Sequence, residues 1–422
     1  MAQDFTVDRN SPKWVLGADG YLKEYIADAP AIEFNADGSY KGVLVEPQSV
    51  NEAPQSEDLD NRTYWVGNAT VTSDTEIDPK GGTNSFLLSE STSNIQQNFF
   101  TETATYAKAV ASGETWTQSI FIKKGDGANA PDYIMMAYTG GGFASNYANF
   151  DISVGGGTSG TVTSSSGGTA GIRYYGNGWY RISWTATANS SDANGGRVFL
   201  FFTNNNPTAT LPPTYAGQTD ANVFIWGAQL EESPIATSYI PTTTAAVTRV
   251  KDDIYLTSAS SLIGQTEGTL FVEVDWQGSG EQQYLLSAND GSFSNRVVIY
   301  NRDSPVELRM IASANNVQVT NQGESSTAYT GIQKIAFAYK TDDFELYRNG
   351  SSISTDTSGS LASLATLTYI DLGQSQDAIR QANMWIRAVA LFTTRLSDAE
   401  AYSLTGYDTY AQMANALQYT IL

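Results

Sequence analysis

Short apolar and β-branched runs, many alternating with polar residues, follow one another along most of the chain, separated by glycine, proline, asparagine, serine and threonine. That rhythm is the period-2 signature of half-buried strands with turn chemistry between them. Between Tyr64 and Leu230 the runs are Trp65–Val71, Phe86–Leu88, Ile95–Phe100, Trp116–Lys123, Tyr133–Tyr138, Tyr147–Val154, Ile172–Tyr175, Trp179–Thr187, Val198–Thr203 and Val223–Leu230. Helical periodicity is scarce among them, so they predict antiparallel sheets packed as a jelly-roll sandwich. From Ile254 the pattern restarts with Thr269–Trp276, Gln283–Ala288, Arg296–Asn301, Glu307–Ala312, Asn316–Thr320, Ile332–Tyr339, Phe344–Arg348, Thr366–Leu372 and Trp385–Phe392, which predict a second sandwich.

The stretch Ala221–Asp253 separates the two series. Val223–Leu230 is apolar on both faces as far as Trp226 and alternates beyond it, which suits a central strand. Pro234 and Pro241 then stop ladder pairing, because proline has no N–H to donate. A short, proline-stiffened strap is expected there. Upstream, Trp14–Ile26 and Ala31–Glu46 each hold Ala-Asp-Gly at a turn, at 18–20 and 36–38, and read as hairpins with glycine supplying positive φ. Two hairpins cannot bury enough apolar area alone, so they must pack on the next domain or on a neighbouring chain.

Asn51–Arg62 reads as a surface connection, and the Gly/Ser/Thr-rich Gly155–Gly168 as a long flexible loop. Ser397 and Glu400 form a capping box that starts a closing helix. In the tail Tyr407–Leu422, Tyr410, Met413, Ala414, Leu417 and Ile421 fall at helical spacing. The expected organisation is all-β. It comprises an N-terminal hairpin and assembly segment over 1–54, a jelly-roll sandwich over 55–245 and a linker over 246–253. A second sandwich over 254–405 and a helical tail over 406–422 complete it.

Composition narrows the chemistry. The 422 residues are enough for two or three cored domains. There are no cysteines and no histidines, so disulfides, thiolate and imidazole zinc sites, and Ser-His-Asp or Cys-His catalysis are all excluded. Lys+Arg 23 against Asp+Glu 44 leaves a formal charge of −21, which opposes binding to nucleic acid or to an anionic membrane. No run approaches the ~20 apolar residues of a membrane helix. The first ten residues lack the basic and apolar regions of a signal peptide, so synthesis in a cytoplasm is expected.

Several motifs carry a resemblance. They are Trp226-Gly227-Ala228-Gln229-Leu230-Glu231, Ser238-Tyr239-Ile240-Pro241-Thr242, and Thr248-Arg249-Val250 with Asp252. Upstream stand Arg9-Asn10-Ser11, Gly20, Pro30, Phe34 and Gly42-Val43-Leu44-Val45-Glu46. Together they resemble a module of tailed-bacteriophage structural proteins, the head spike fibre or tail fibre type. Where that family usually continues with arginine, threonine and asparagine, this chain has Ser49-Val50-Asn51. Gly-Asn-Gly-Trp-Tyr-Arg-Ile at 176–182 resembles the turn and strand of carbohydrate-binding sandwiches, in which Trp179 would pack into the core edge.

In the second series, Phe344–Gly350, Ile386–Phe392 and Arg395–Glu400 resemble strands and closing helix of a laminin-G-like or concanavalin-A-like lectin sandwich, with Met384 where that family usually has glycine. The resemblances imply a virion structural protein: a head or tail fibre, spike or capsid decoration on the particle surface. It would be partnered by other virion proteins, trimeric by analogy with phage fibres, and able to adsorb to host-surface glycans.

Paired carboxylates are the catalytic chemistry this residue set leaves open, as in glycoside hydrolysis. Glu273 and Asp275 alternate on one strand and would point to one side, with Trp276 beside them as a sugar platform. A solvated strand face gives the same spacing, and no catalytic residue is assigned; a carboxylate-based polysaccharide depolymerase is the rival class. Glycan contacts are expected at Asn146 and Tyr147, near Phe143, and at Trp276, Asp290 and Asn295. No cofactor is required, although Asn289-Asp290-Gly291-Ser292 and Gln374–Asp377 offer oxygen ligands of the kind calcium takes.

Overall fold

The computed structural model describes residues 5–102, 105–138, 140–153, 160–210, 212–276, 282–303, 306–325, 331–408 and 412. It is built almost wholly of antiparallel sheet, arranged as two sandwiches. One pairs a six-stranded sheet, running Thr161–Ser166, Asn146–Asp151, Tyr133–Tyr138, Phe199–Phe202, Asn98–Thr101 and Trp65–Val66, with a second six-stranded sheet. The second runs Thr169–Gly176, Trp179–Thr187, Thr115–Lys124, Asn222–Glu231, Ser85–Ser89 and Thr70–Asp74. Their facing sides bury Trp65, Phe99, Ile120, Ile122, Met136, Phe150, Trp184, Leu200 and Ile225 in one core.

The other sandwich pairs two seven-stranded sheets. One orders Thr6–Asp8, Asp253–Leu256, Tyr369–Leu372, Gln283–Asn289, Arg296–Asp303, Val306–Ala314 and Val317–Ser325. Its mate orders Ser351–Asp356, Asp343–Arg348, Gly331–Lys340, Glu267–Trp276, Met384–Phe392, Tyr40–Val45 and Ile32–Phe34. Residues 5–54 are therefore shared between the two sandwiches. Thr6–Asp8 lies at the edge of one sheet, Tyr40–Val45 extends the other, and Val7 and Val45 enter the shared core. The first described strand lies in this sandwich, and the chain then leaves to build the six-stranded pair and returns. We call the two the split sandwich and the inserted sandwich.

Both hairpins form as their turns predict, with Gly20 and Gly38 at φ +80° and +79°. Each finds its cover within this chain. The second joins the split sandwich. The first, Lys13–Leu16 with Leu22–Tyr25, lays Leu16 and Leu22 on the outer face of the inserted sandwich against Phe121, Trp179, Phe224 and Trp226.

That packing explains why the Asn222–Glu231 strand is apolar on both faces. Val223 and Ile225 face the sandwich core, while Phe224 and Trp226 face the hairpin. The pairing with Thr115–Lys124 then slips between Ser119 and Phe121, and Gly227 at φ +63° supplies the bulge. Past the bulge the parity is reversed: Ala228 and Leu230 face inward, leaving Gln229 and Glu231 on the outer side.

The linker expected at 246–253 is partly strand. Val247–Arg249 pairs with Ser49–Asn51, so the outgoing and returning passes are zipped together. Part of the loop expected at Gly155–Gly168 is an edge strand, Thr161–Ser166, paired with Asn146–Asp151; residues 154–159 lie outside the described residues. The capping box forms as predicted, with Ser397 and Glu400 bonding reciprocally at the start of Asp398–Gly406. The helix expected in the tail falls almost entirely outside the described residues.

Candidate functional site

Several motif residues quoted from the sequence converge, with Lys13, where the chain crosses between sandwiches. Arg9, Lys13, Glu46, Arg249 and Asp252 are all buried there. Asp252 accepts from Arg9 Nη1 at 2.8 Å, Lys13 Nζ at 2.6 Å and the Glu46 backbone N–H at 2.9 Å. Lys13 Nζ also lies 2.9 Å from Glu46 Oε2 and donates to the Leu44 carbonyl at 2.9 Å. Burial alone would push the Glu46 carboxyl up, but Lys13 and Arg249 beside it, with the Ser238 N–H donating at 2.7 Å, hold it at about 2.

A second polar knot lies beside the first. Buried Glu231 accepts from Ser49 Oγ at 2.7 Å, from the Thr237 N–H at 3.1 Å and from the Thr237 hydroxyl. Asn51 donates to the Ala228 and Ile240 carbonyls and accepts from the Ala53 and Leu230 N–H groups. Its neighbour in the motif, Tyr239, packs its ring 4.8 Å from Trp226 and bonds Ser56 through its hydroxyl at 2.8 Å. The motif thus holds two sandwiches and a hairpin in one geometry, and every charged group in it already has a partner.

Beside this junction a cleft of about 420 Å³ opens between the sandwiches. The inserted sandwich contributes Thr169–Arg173, Tyr175, Arg181, Ser183 and Thr185. The hairpin adds Trp14 and Val15, the strap adds Pro234–Ser238, and the split sandwich adds Glu33, Leu44, Glu46, Asn383 and Trp385. Period-2 alternation produces the floor. On Trp179–Thr187, Tyr180, Ile182 and Trp184 turn into the core, so Arg181, Ser183 and Thr185 face the cleft. Gly171 sits opposite Ser183, and a Cβ there would stand 2.6 Å from the Ser183 hydroxyl, so the floor stays low.

Charge is distributed unevenly across the cleft. Arg173 bridges the sandwiches, with Nη2 2.6 Å from Glu33 Oε1 and its guanidinium 4.7 Å from the Tyr175 ring and 5.5 Å from the Trp385 ring. Glu33 also accepts from Trp385 Nε1 at 2.6 Å. Lys41 lies 3.8 Å over the Trp385 ring, and burial, then the neighbouring Arg173, lowers its pKa. Among the described residues, Trp14 Nε1, Ser238 Oγ and Arg181 Nε are buried polar atoms without a hydrogen-bond partner. A concave site of this volume, with indole and phenol rings and a few unsatisfied polar groups, has the make-up of a small-ligand pocket.

The residues proposed from sequence are not brought together. Asn146 and Tyr147 are strand neighbours and face opposite ways: Asn146 accepts from buried Trp184 Nε1 at 2.7 Å, while Tyr147 packs near Met135 and Phe201 on the far side of the sheet. Phe143 is buried, stacked on Tyr138 at 4.0 Å. Trp276 is a core residue with its Nε1 bonded to Gln283 at 2.7 Å, so it offers no platform. Its parity with Val272 and Val274 was visible in the alternation and sets it on the opposite face from Glu273 and Asp275.

Glu273 and Asp275 do share a side, but each meets a cation: Arg387 Nε at 2.7 Å from Glu273 and Lys41 Nζ at 3.6 Å from Asp275. Asp290 and Asn295 touch, at 2.8 Å, within one loop. Asp290 there accepts from the Ser292 N–H and hydroxyl, and Asn295 from the Asn315 and Ala365 N–H groups, so both shape the loop. In the Gln374–Asp377 loop, Asp377 accepts from Ser375 and Arg380, and Gln374 donates to Asp253. Among the described residues, no cluster of three or more acidic side chains stands ready for a metal ion. The cleft residues escaped sequence reasoning because they come from five separated stretches; the alternation at 179–185 was the one local signal.

No protein-family model and no curated protein matches the chain. Among solved structures, the CBM40 of a Ruminococcus gnavus IT-sialidase is similar at 16% identity over 35% of this chain and 87% of that one, with a TM-score of 0.31. NanB sialidase from Streptococcus pneumoniae is similar at 16% identity over 35% of this chain and 26% of its own, TM-score 0.31. A structure of botulinum neurotoxin type C is similar at 16% identity over 40% of this chain and 41% of that chain, TM-score 0.31.

Proposed function

We propose that this chain is a non-enzymatic, glycan-recognising structural protein on the surface of a bacteriophage particle, a fibre, spike or decoration of head or tail. The observation that carries the recognition part is the cleft between the sandwiches, whose Trp14, Tyr175 and Trp385 rings stand among unsatisfied polar atoms. Sugar binding draws on that combination, since ring C–H faces pack on aromatic surface while hydroxyls need donors and acceptors. The virion part rests on the phage-type motif. Its residues build the junction that shapes the cleft, so the resemblance and the site share one physical basis. Other virion proteins are the expected partners and a homotrimer the expected assembly.

The full chain on a glycan array tests recognition, with Trp385→Ala as the control. Selective binding that falls at least tenfold in the variant is expected; binding unaffected by Trp385→Ala sinks the cleft as its seat. Immunogold imaging of particles tests the location, and absence of label from every part of the particle surface removes the virion reading.

The rival depolymerase reading needs Glu273 and Asp275 free to trade protons, and both are engaged by Arg387 and Lys41. Release of reducing ends from a polysaccharide by wild type but not by Glu273→Gln would establish the rival instead.

A further inference from the structure

The floor of the cleft holds a charge arrangement that its protein partners do not balance. Arg173 and Arg181 are directly opposed across the antiparallel pair Thr169–Gly176 and Trp179–Thr187. Like charges in that relation repel, and a sheet tolerates them only with compensation. Arg173 has it, from Glu33 of the split sandwich. Arg181 does not. It is only 6% exposed, and its partners are the Thr237 carbonyl at 2.6 Å, Ser119 Oγ at 3.0 Å and the Phe121 ring at 5.4 Å. Among the described residues no carboxylate forms an ion pair with it, and its Nε has no acceptor. A buried cation without a counter-charge is costly, and an anion arriving from solvent would relieve that cost.

Two residues of the same walls carry further unsatisfied donors. Trp14 and Ser238 line the cleft, and Trp14 Nε1 and Ser238 Oγ are buried without a hydrogen-bond partner among the described residues. Gly171 and Ser183 keep the floor low beside Arg181, which leaves room for a ring carrying its charge at one end. We infer that the cleft takes an acidic saccharide, with a carboxylate answering Arg181 and the sugar ring lying along the Trp14 and Trp385 walls. Glu33, by holding Arg173, leaves Arg181 as the cleft guanidinium without a carboxylate partner among the described residues, and so favours a single carboxylate over a more highly charged group.

This inference rests on the cleft being the glycan site, and the test separates the two. Calorimetry on the full chain would use D-glucuronate, D-galacturonate and N-acetylneuraminate, each against its own methyl ester, beside the array of neutral and acidic glycans. At least one acid should bind about tenfold or more tighter than its ester, a difference of ~1.4 kcal/mol. Arg181→Gln should erase that difference while Arg181→Lys keeps part of it. If Arg181→Gln does not fold, the acid–ester comparison on wild type and on Ser238→Ala carries the decision. Acids and esters binding alike, with Trp385→Ala still abolishing binding, overturns the acidic ligand and leaves the cleft reading standing. Binding of none of the glycans overturns both.

Discussion

Lys13 Nζ lies 2.6 Å from Asp252 Oδ2, both side chains buried, although 239 residues separate them along the chain. The pair closes a loop that contains the whole inserted sandwich. It ties the first hairpin to the strand that re-enters the split sandwich, and Arg9 and Glu46 share the same carboxylate. A buried ion cluster is not a large net source of stability, because desolvation offsets most of the attraction. Its removal in part is costly, because it strands the remaining charges.

Asp252→Ala should therefore destabilise the chain by about 3–5 kcal/mol, since Arg9 and Lys13 lose their shared counter-ion while buried. Lys13→Met in the same background should cost less than it does alone, because the two side chains share one network. Urea denaturation of the two single variants and the double variant measures the coupling; additive losses would show that the cluster does not act as a unit.

Acid stability follows from Glu46. Its carboxyl sits at about 2 in the folded chain against an ordinary 4.5, so the unfolded chain binds the proton first. The contribution is complete above about pH 4.5 and is lost as pH falls from there through 2, and the shift corresponds to roughly 3 kcal/mol. Glu46→Gln should flatten the stability profile across that window, as measured by urea midpoints at stepped pH. An unchanged slope would show that the junction cations are not what holds this group.

Asp371 has the opposite sign. Burial raises it to about 6, against the pull of the hydrogen bond from Asn289 at 2.6 Å and with Asp253 adding to the rise. The folded chain keeps this proton between about pH 4 and pH 6, so stability from this group falls as pH rises through that range. Asp371→Asn should leave stability at pH 7 equal or higher, by at most ~3 kcal/mol, and gain nothing at pH 4. A loss at pH 7 would mean that the ionised form makes a bond worth more than its burial.

Gly227 makes the bulge on which the strand's change of parity depends. Alanine there would hold φ +63° with its Cβ 3.0 Å from Phe121 Cδ2 and 3.2 Å from Tyr239 Cε2. Gly227→Ala should cost about 1–3 kcal/mol, combining left-handed strain with pressure on two buried rings. A thermal midpoint within a degree of wild type would argue that the bulge relaxes freely.

Much of the fold is legible without coordinates. Most long strands, the two Ala-Asp-Gly turns, the Ser397–Glu400 cap and the double-faced run ending at Trp226 follow from local chemistry, whereas the runs Trp65–Val71 and Ile95–Phe100 each divide between two sheets and the edge strand Thr161–Ser166 carried no apolar pattern. Which sheets would take the strands of the 1–54 segment was not legible, for a physical reason. Thr6–Asp8 takes the edge of one sheet and Tyr40–Val45 an inner place in the other, and nothing within a strand states which sheet will take it. The site fared worse. Trp276 drew notice by standing next to two acids, whereas alternation sends neighbours to opposite faces, and that rule alone places it in the core.

Residue types and their local order were enough to determine an all-β chain, with neither thiol nor imidazole chemistry and with two runs of strands about a proline-bearing strap. They act over a few residues, through steric preference, hydrogen-bonding capacity and alternation, and those forces need no knowledge of distant partners. Which strands share a sheet, which of two opposed arginines finds a carboxylate, and that residues 14, 173, 181, 238 and 385 border one cleft were settled only by folding. Burial and ion pairing depend on distance in space, and here the groups that meet come from opposite ends of the chain.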